Sequence, residues 1–299
     1  MKNIFIYNPE SGNGKVKKYL PLILSTINNK YGEVDCLETT HAGHAHEYLK
    51  EHAHEFDYVF VAGGDGTLNE TVSGIMESGS RPTIGYLPTG TCNDVAHSLG
   101  ISKNIKKAIK NLASGTPTYH DVFSVNNRFG IYVCCAGLFT KSSYTTKRKE
   151  KKSLGKIAYF FNGIKELFSA KPIKLELETN EVKISTSVAL LLILNSKSVA
   201  GFKLNKDADL DNGKVDVLLF HSHEKHILLS EILRITHTFL FGINRAKKNK
   251  HVTYLSLSSF TIKTDSSIAI NLDGEHGIKG SFEFKVYQKQ IKIIAPNKN

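Results

Sequence analysis

The chain has 299 residues, 40% of them hydrophobic, with 39 Lys and Arg against 28 Asp and Glu, a net charge of +11. That length and apolar content suit a sizeable core divided between two domains. No stretch approaches the roughly 18 consecutive apolar residues of a membrane span, and Cys36, Cys92, Cys134 and Cys135 lack CxxC spacing, so they read as reduced core residues of a cytosolic protein.

In chain order, Lys2 to Tyr7 (KNIFIY) predicts a first strand, and Asn8 to Lys15 (NPESGNGK) a polar turn before a helix that begins near Val16. The turn lacks the GxxxxGK[ST] spacing of a Walker A loop. Val34 to Thr40 predicts a second strand, and Gly43 to Glu55 a helix. Its neighbourhood carries His41, His44, His46, His52 and His54, but Glu47, Glu51 and Glu55 recur at i, i+4, as on a solvated face rather than a zinc site. Asp57 to Glu70 (DYVFVAGGDGTLNE) reads as a buried strand, a glycine turn and the start of a helix running from Thr67 to Met76. Gly63, Gly64 and Gly66 let the backbone come close to a ligand. The helix N-terminus attracts phosphate, and Asp65 can hold a cation beside it. A bare carboxylate at that position would repel a phosphate unless a metal ion lay between them, so a metal nucleotide is the ligand class implied. Thr83 to Leu87 predicts a further strand leading into Pro88 to Asp94 (PTGTCND), where Asn93 or Asp94 suits the N-cap of a helix over Val95 to Leu99. Turns that end neighbouring parallel strands lie side by side at the carboxyl edge of a sheet, where α/β proteins bind ligands.

Beyond about residue 118 strand and helix cease to alternate. Asp121–Val125, Arg128–Cys135, Lys174–Thr179, Glu181–Leu194, Val215–Phe220, Val252–Thr264, Ile268–Leu272, Ser281–Tyr287 and Gln290–Ile294 read as strands, which suggests a sandwich-like second domain. Helices are expected over Ile157–Phe168 and Lys225–Phe241, the latter with Ile227, Leu228, Ile232, Leu233, Ile235 and Phe239 as a core stripe. Residues 1–118 carry a charge of −1 and residues 119–299 a charge of +12, concentrated in KSSYTTKRKEKKSLGK (Lys141–Lys156) and RAKKNKH (Arg245–His251). With no zinc-finger spacing, RNP aromatic set or helix-turn-helix, the anionic partner is read as a membrane surface rather than nucleic acid. DADLDNGKVD (Asp207–Asp216) reads either as an oxygen-rich cation loop or as an acidic Asn-Gly hairpin turn. In NLDGEHG, Asp273 and Glu275 flank Gly274, and such paired carboxylates suit a metal ligand and a general base.

GGDGTLNE resembles the nucleotide-binding motif of the diacylglycerol kinase catalytic domain family, which includes bacterial lipid kinases, sphingosine kinases and ceramide kinases; NAD kinases and phosphofructokinases share the GGDG core. NPESG resembles the family's NPxSG loop, PTGTCND its P-x-G-T-x-N-D signature and NLDGE its late L-D-G-E motif, which NAD kinases and phosphofructokinases lack. The resemblance implies an α/β nucleotide-binding domain of the NAD kinase and phosphofructokinase type over 1–118. A β-rich, sandwich-like lipid-substrate domain would cover 119–299, its last strand able to return to the first domain, with the active site in the cleft between the two. It further implies transfer of the γ-phosphoryl of ATP, with Mg2+, to the hydroxyl of a membrane lipid. Diacylglycerol is expected first; phosphatidylglycerol, a sphingoid base, an NAD kinase activity and a non-catalytic nucleotide sensor stand as alternatives.

By the same resemblance Asn8, Pro9, Glu10, Ser11, Gly12, Thr39, Gly64, Asp65, Gly66, Thr67, Leu68, Asn69, Glu70 and Thr91 would hold the nucleotide. Asp65 would bind the catalytic magnesium, with Asp94 assisting. Glu275 would accept the lipid hydroxyl proton, with Asp273 supporting the metal or orienting the base. A structural magnesium would take Asp209 and Lys214 through backbone oxygen and Asn212 through its side chain, where Asn in place of Asp removes a charge. The location expected is cytoplasmic, peripheral to the inner face of the cell membrane, and a homodimer is compatible with the chain.

Overall fold

The computed structural model describes residues 2–137, 171–223 and 225–297. The expected helix at Ile157–Phe168 and the basic run Lys141–Lys156 lie outside the described residues. The chain divides into two compact units, residues 1–122 with 210–212 and 288–299, and residues 123–209 with 213–287.

The first unit alternates strand and helix: β1 (Asn3–Tyr7), α1 (Lys15–Tyr31), β2 (Val34–Glu38), α2 (His44–His52), β3 (Tyr58–Gly63), α3 (Asp65–Ser78), β4 (Thr83–Pro88), α4 (Asp94–Leu99) and α5 (Ile105–Ser114). β1 and β3 are continuous apolar runs buried on both sides, as strands inside a parallel sheet must be. Their register is parallel throughout, β1 pairing with β2 and with β3, and β3 with β4. β4 then pairs in parallel with the end of the last strand, β15 (Phe282–Ala295), at Lys292 and Ile293. The order is therefore β2-β1-β3-β4-β15. The chain leaves β1 toward β2 and returns past it to β3, so the order reverses between β1 and β3, and the loops after these two strands flank the switch point.

The second unit is antiparallel. Its strands, among the described residues, are the end of β5 (Thr116–Val125), β6 (Arg128–Gly130), β7 (Val133–Ala136), β8 (Ile173–Glu178), β9 (Lys183–Leu194), β10 (Val215–His221), β11 (Val252–Leu257), β12 (Ser259–Thr264), β13 (Ala269–Leu272), β14 (Glu275–Lys279) and the first part of β15, up to Tyr287. β9 is long enough to pair β8 along its first half, β7 along its second and β10 on its other edge. Inward residues at period two, among them Leu175 and Leu177, Leu191 and Ile193, Val217 and Leu219, and Phe282 and Phe284, meet in one core. Among the described residues two helices, α6 (Leu229–Phe241) and α7 (Ile243–Ala246), interrupt the strands.

Several boundaries differ from expectation for local reasons. The strand expected at Arg128–Cys135 is two, because Ile131 and Tyr132 turn toward the Asp273 carboxylate. Val252–Thr264 likewise breaks at Ser258, while the two strands expected at the C-terminus are one, passing Lys289 at φ 51°. The helix expected from Gly43 to Glu55 closes with a 3-10 turn at Ala53–Glu55, and α5 and β14 were not expected at all. The stripe on α6 is only partly core: Ile227, Ile232, Ile235 and Phe239 are buried, but Leu228 and Leu233 are exposed. Among the described residues, no helix is long and apolar enough to cross a membrane.

Candidate active site

In the first unit three loops meet at the carboxyl edge of the parallel sheet. After β1, the Asn8 amide donates to Ala62 O (3.1 Å) and the Asn8 side chain accepts from Glu10 N (3.0 Å), fixing the turn through Pro9 to Ser11. Gly12 follows at φ 64°, and a Cβ there would lie 2.8 Å from Thr89 O, so only glycine admits the approach. Thr89 ties the β4 loop to both others, its hydroxyl donating to Ser11 Oγ (2.8 Å) and its amide to Gly63 O (2.8 Å). Gly64 and Gly90 touch backbone to backbone, since a Cβ on Gly90 would stand 2.5 Å from Gly64 Cα. Thr39 sits just beyond β2, buried, with its amide on Tyr7 O (2.9 Å).

α3 starts at this junction. Gly64 is its N-cap in extended conformation, and Asp65 and Gly66 form its first turn, half-buried. The Asp65 carboxylate accepts from Val95 N (3.4 Å), across to the start of α4, where Asp94 is buried. The two carboxylates bear on one phenol: burial first, then the charges of Asp65 and Asp94, push the Tyr86 hydroxyl well above its ordinary pKa. Thr67 is buried beneath Gly63, Asn69 and Glu70 are half-buried, and Leu68 is fully buried with its amide on Gly64 O, so its side chain serves packing rather than ligand contact.

Asn93 departs from its expected role. It occupies the N-cap of α4 in the left-handed region (φ 53°), but its side chain makes no cap bond. It bonds instead to both backbone groups of Gly90, accepting from N (2.9 Å) and donating to O (2.8 Å), and so locks the loop that carries the exposed Thr91. A cavity of about 680 Å³ beside this loop is lined by Lys15, Lys18, Lys103 and Lys106 together with Thr89 and Gly90. Sequence reasoning missed these lysines and Thr89, because no spacing marks residues brought together from the starts of α1 and α5. The same reasoning could have suspected Thr89, which lies inside the quoted PTGTCND.

In the second unit Asp273 and Gly274 form a two-residue hairpin between β13 and β14, with φ 50° and 83°, the pairing that type I′ turns require. The buried Asp273 carboxylate accepts from Ile131 N (2.7 Å), Tyr132 N (3.0 Å) and Val133 N (2.9 Å). With three backbone amides on its oxygens, it is built to hold the hairpin in place, which favours orienting a neighbour over ligating a metal. Glu275, paired opposite Leu272 at the start of β14, is exposed.

Asp209, Asn212 and Lys214 lie exposed on a turn through Gly213 (φ 77°). The intervening Leu210 carbonyl accepts from Asp121 N (2.7 Å). Among the described residues no group of three or more His, Cys, Asp or Glu side chains could hold a metal ion, so a site here would draw on the Asn212 side chain and backbone oxygen. Of the histidines near α2, His46 lies 3.0 Å from Glu77 and His52 2.8 Å from Glu55.

With this geometry in view, residues 2–125 match the profile of the Diacylglycerol kinase catalytic domain. The chain is 34% identical over 296 residues to the diacylglycerol kinase of Bacillus subtilis (strain 168), covering 97% of this chain and 95% of that protein. To the diacylglycerol kinase of Staphylococcus aureus (strain MRSA252) it is 32% identical, covering 98% and 91%. A solved diacylglycerol kinase structure from Bacillus anthracis str. Sterne matches with a TM-score of 0.81 at 23% identity, over 98% of this chain and 96% of that one, which shows the common fold.

Proposed function

The chain belongs to the diacylglycerol kinase family, and from that premise we propose that it transfers the γ-phosphoryl of ATP to the hydroxyl of diacylglycerol, giving phosphatidic acid. The observation that carries the reading is the backbone contact of Gly64 with Gly90 at the N-terminus of α3, which leaves amide groups and the Asp65 carboxylate at one edge of the sheet. Phosphoryl transfer depends on positioning and charge neutralisation more than on covalent chemistry by the protein, and this edge suits both.

Asn8 to Gly12, Thr39, Gly64 to Glu70 and Thr91 would hold the nucleotide, Leu68 through packing alone, with the lysines around the Thr89 loop adding positive charge. Asp65, with Asp94 beside the same Tyr86, fits a magnesium ion, which would supply neutralisation of the phosphate oxygens. Glu275 would take the proton from the lipid hydroxyl, and Asp273 would keep the hairpin that carries Glu275 in register. Asp209, Asn212 and Lys214 would make a structural magnesium loop. Because the lipid does not leave the bilayer, the enzyme would work peripherally on the cytoplasmic face of the membrane, a place supported by the basic charge beyond residue 118.

The test is phosphate transfer from γ-labelled ATP with magnesium into mixed vesicles containing diacylglycerol, phosphatidylglycerol and a sphingoid base. Label in phosphatidic acid is expected. Label in another lipid would change the substrate and keep the reaction, whereas no lipid label, with NAD phosphorylated in a parallel tube, would overturn the proposal.

A further inference from the structure

Eight large hydrophobic side chains are exposed among the described residues, and five of them belong to one helix and the residue before it: Leu228, Leu229, Leu233, Leu240 and Phe241. At 100° per residue, Leu229, Leu233 and Leu240 fall within about 40° of arc on α6, roughly 110° round the helix from the face that buries Ile232, Ile235 and Phe239. Phe241, 67% exposed, lies roughly 80° further round than Leu233, at the C-terminal end of the same exposed side. The helix is firmly seated. Buried Glu231 accepts from Leu228 N (3.0 Å), Ser222 Oγ (2.6 Å) and His223 N (3.2 Å), and Phe239 packs on Phe202 with ring centroids 6.2 Å apart. The apolar face is therefore presented by a fixed element rather than by a frayed end.

Charge around the stripe identifies what covers it. Between Lys225 and His251 the sequence contains one acid, Glu231, and that acid is buried at the inner side. Lys225 and His226 are exposed before the helix, and Arg245, Lys248 and Lys250 are exposed after it, so cations rim the stripe at both ends. A second copy of the chain is a poor occupant. In a two-fold pair, antiparallel helices would set Lys225 against Arg245 and parallel ones would set like against like. A surface with an apolar interior and anionic groups at its edge matches both features. Thirteen residues are about 20 Å of helix, too short to span a bilayer and suited to lie in its interface.

We propose that the outer face of α6 is a membrane-docking surface, in which Leu229, Leu233, Leu240 and Phe241 enter the headgroup and acyl boundary of an anionic bilayer while Arg245, Lys248 and Lys250 meet lipid phosphates. This rests on the lipid kinase reading and adds to it the segment by which the enzyme reaches its substrate.

The chain has no tryptophan, so Phe241→Trp supplies a single indole on the exposed side of α6, beside the leucines. The full chain carrying it is mixed, without nucleotide, with diacylglycerol-free vesicles of phosphatidylcholine and phosphatidylglycerol, with and without bromine on the acyl chains. The expected result is a blue-shifted emission quenched by the brominated lipid and weakened at high salt. Combined Leu229→Gln, Leu233→Gln and Leu240→Gln, chosen because Gln keeps helix propensity, lowers vesicle partition on the order of tenfold with an unchanged melting temperature. Unshifted emission from protein that still sediments with vesicles would place docking elsewhere and overturn the proposal. So would a blue shift without vesicles that grows with protein concentration, the mark of a second copy. Turnover of dispersed short-chain diacylglycerol separates the two readings: it reports the kinase activity alone, and the indole reports the surface alone.

Discussion

Two carboxylates on one hairpin, Asp273 and Glu275, are set apart by their surroundings. Glu275 is exposed, so Glu275→Gln should leave the melting temperature unchanged while lowering kcat by a hundredfold or more, on the order expected for a general base. Asp273 holds three backbone amides, so Asp273→Asn should cost roughly 2–3 kcal/mol in urea unfolding, because an amide nitrogen would face donors it cannot accept. If Asp273→Asn lowered kcat with no loss of stability, the positioning role would be wrong. His120 gives a third prediction at this scale. It is fully buried, with Nδ1 2.6 Å from Asp121 O and Nε2 without a partner among the described residues, and burial pulls its pKa down to about 4 despite the opposing backbone hydrogen bond. The unfolded chain takes up this proton near pH 6.5, before the folded chain does, so stability is full above that pH and declines toward pH 4. The total loss from this group is about 3 kcal/mol, and urea unfolding at pH 7.5 and 4.5 should show most of it.

At the scale of elements, the site depends on loops that approach each other without side chains between them. A Cβ at Gly90 would press on Gly64 Cα from 2.5 Å, and neither backbone can yield without moving the start of α3. Gly90→Ala should therefore lower kcat/KM for ATP by on the order of a hundredfold, mostly through KM, while circular dichroism stays native. An unchanged KM would remove this loop from the nucleotide site. Anchoring of α6 is the other test at this scale. Burial works to raise the Glu231 carboxyl, but the bonds from Ser222, His223 and Leu228 outweigh it and hold its pKa below the ordinary value. Glu231→Ala should loosen the first turn of α6, read as faster amide hydrogen exchange there, and cost roughly 2 kcal/mol overall.

For the whole molecule, the decisive quantity is the division of charge, −1 over residues 1–118 and +12 over residues 119–299. If that excess serves a membrane surface, turnover on anionic vesicles should fall steeply between about 0.1 and 1 M salt, as the Debye length shrinks from ~10 Å to ~3 Å. Turnover on dispersed short-chain diacylglycerol should change little over the same range. Equal salt dependence in both assays would show that the charge acts on the reaction and not on the surface.

The sequence by itself determined the strands that are continuous apolar runs, the glycine turns after β1, β3 and β4, and the family, because each is written in contiguous residues whose spacing has one physical meaning. It did not reveal that β15 is one strand of fourteen residues, that Asn93 locks Gly90 instead of capping α4, or that Asp273 serves amides about 140 positions earlier in the chain. Nor could periodicity separate the two apolar faces of α6, since both repeat at helical spacing. Which face finds a core to pack against, and which is left for solvent or membrane, is set by elements distant in sequence, and only the tertiary structure decides it.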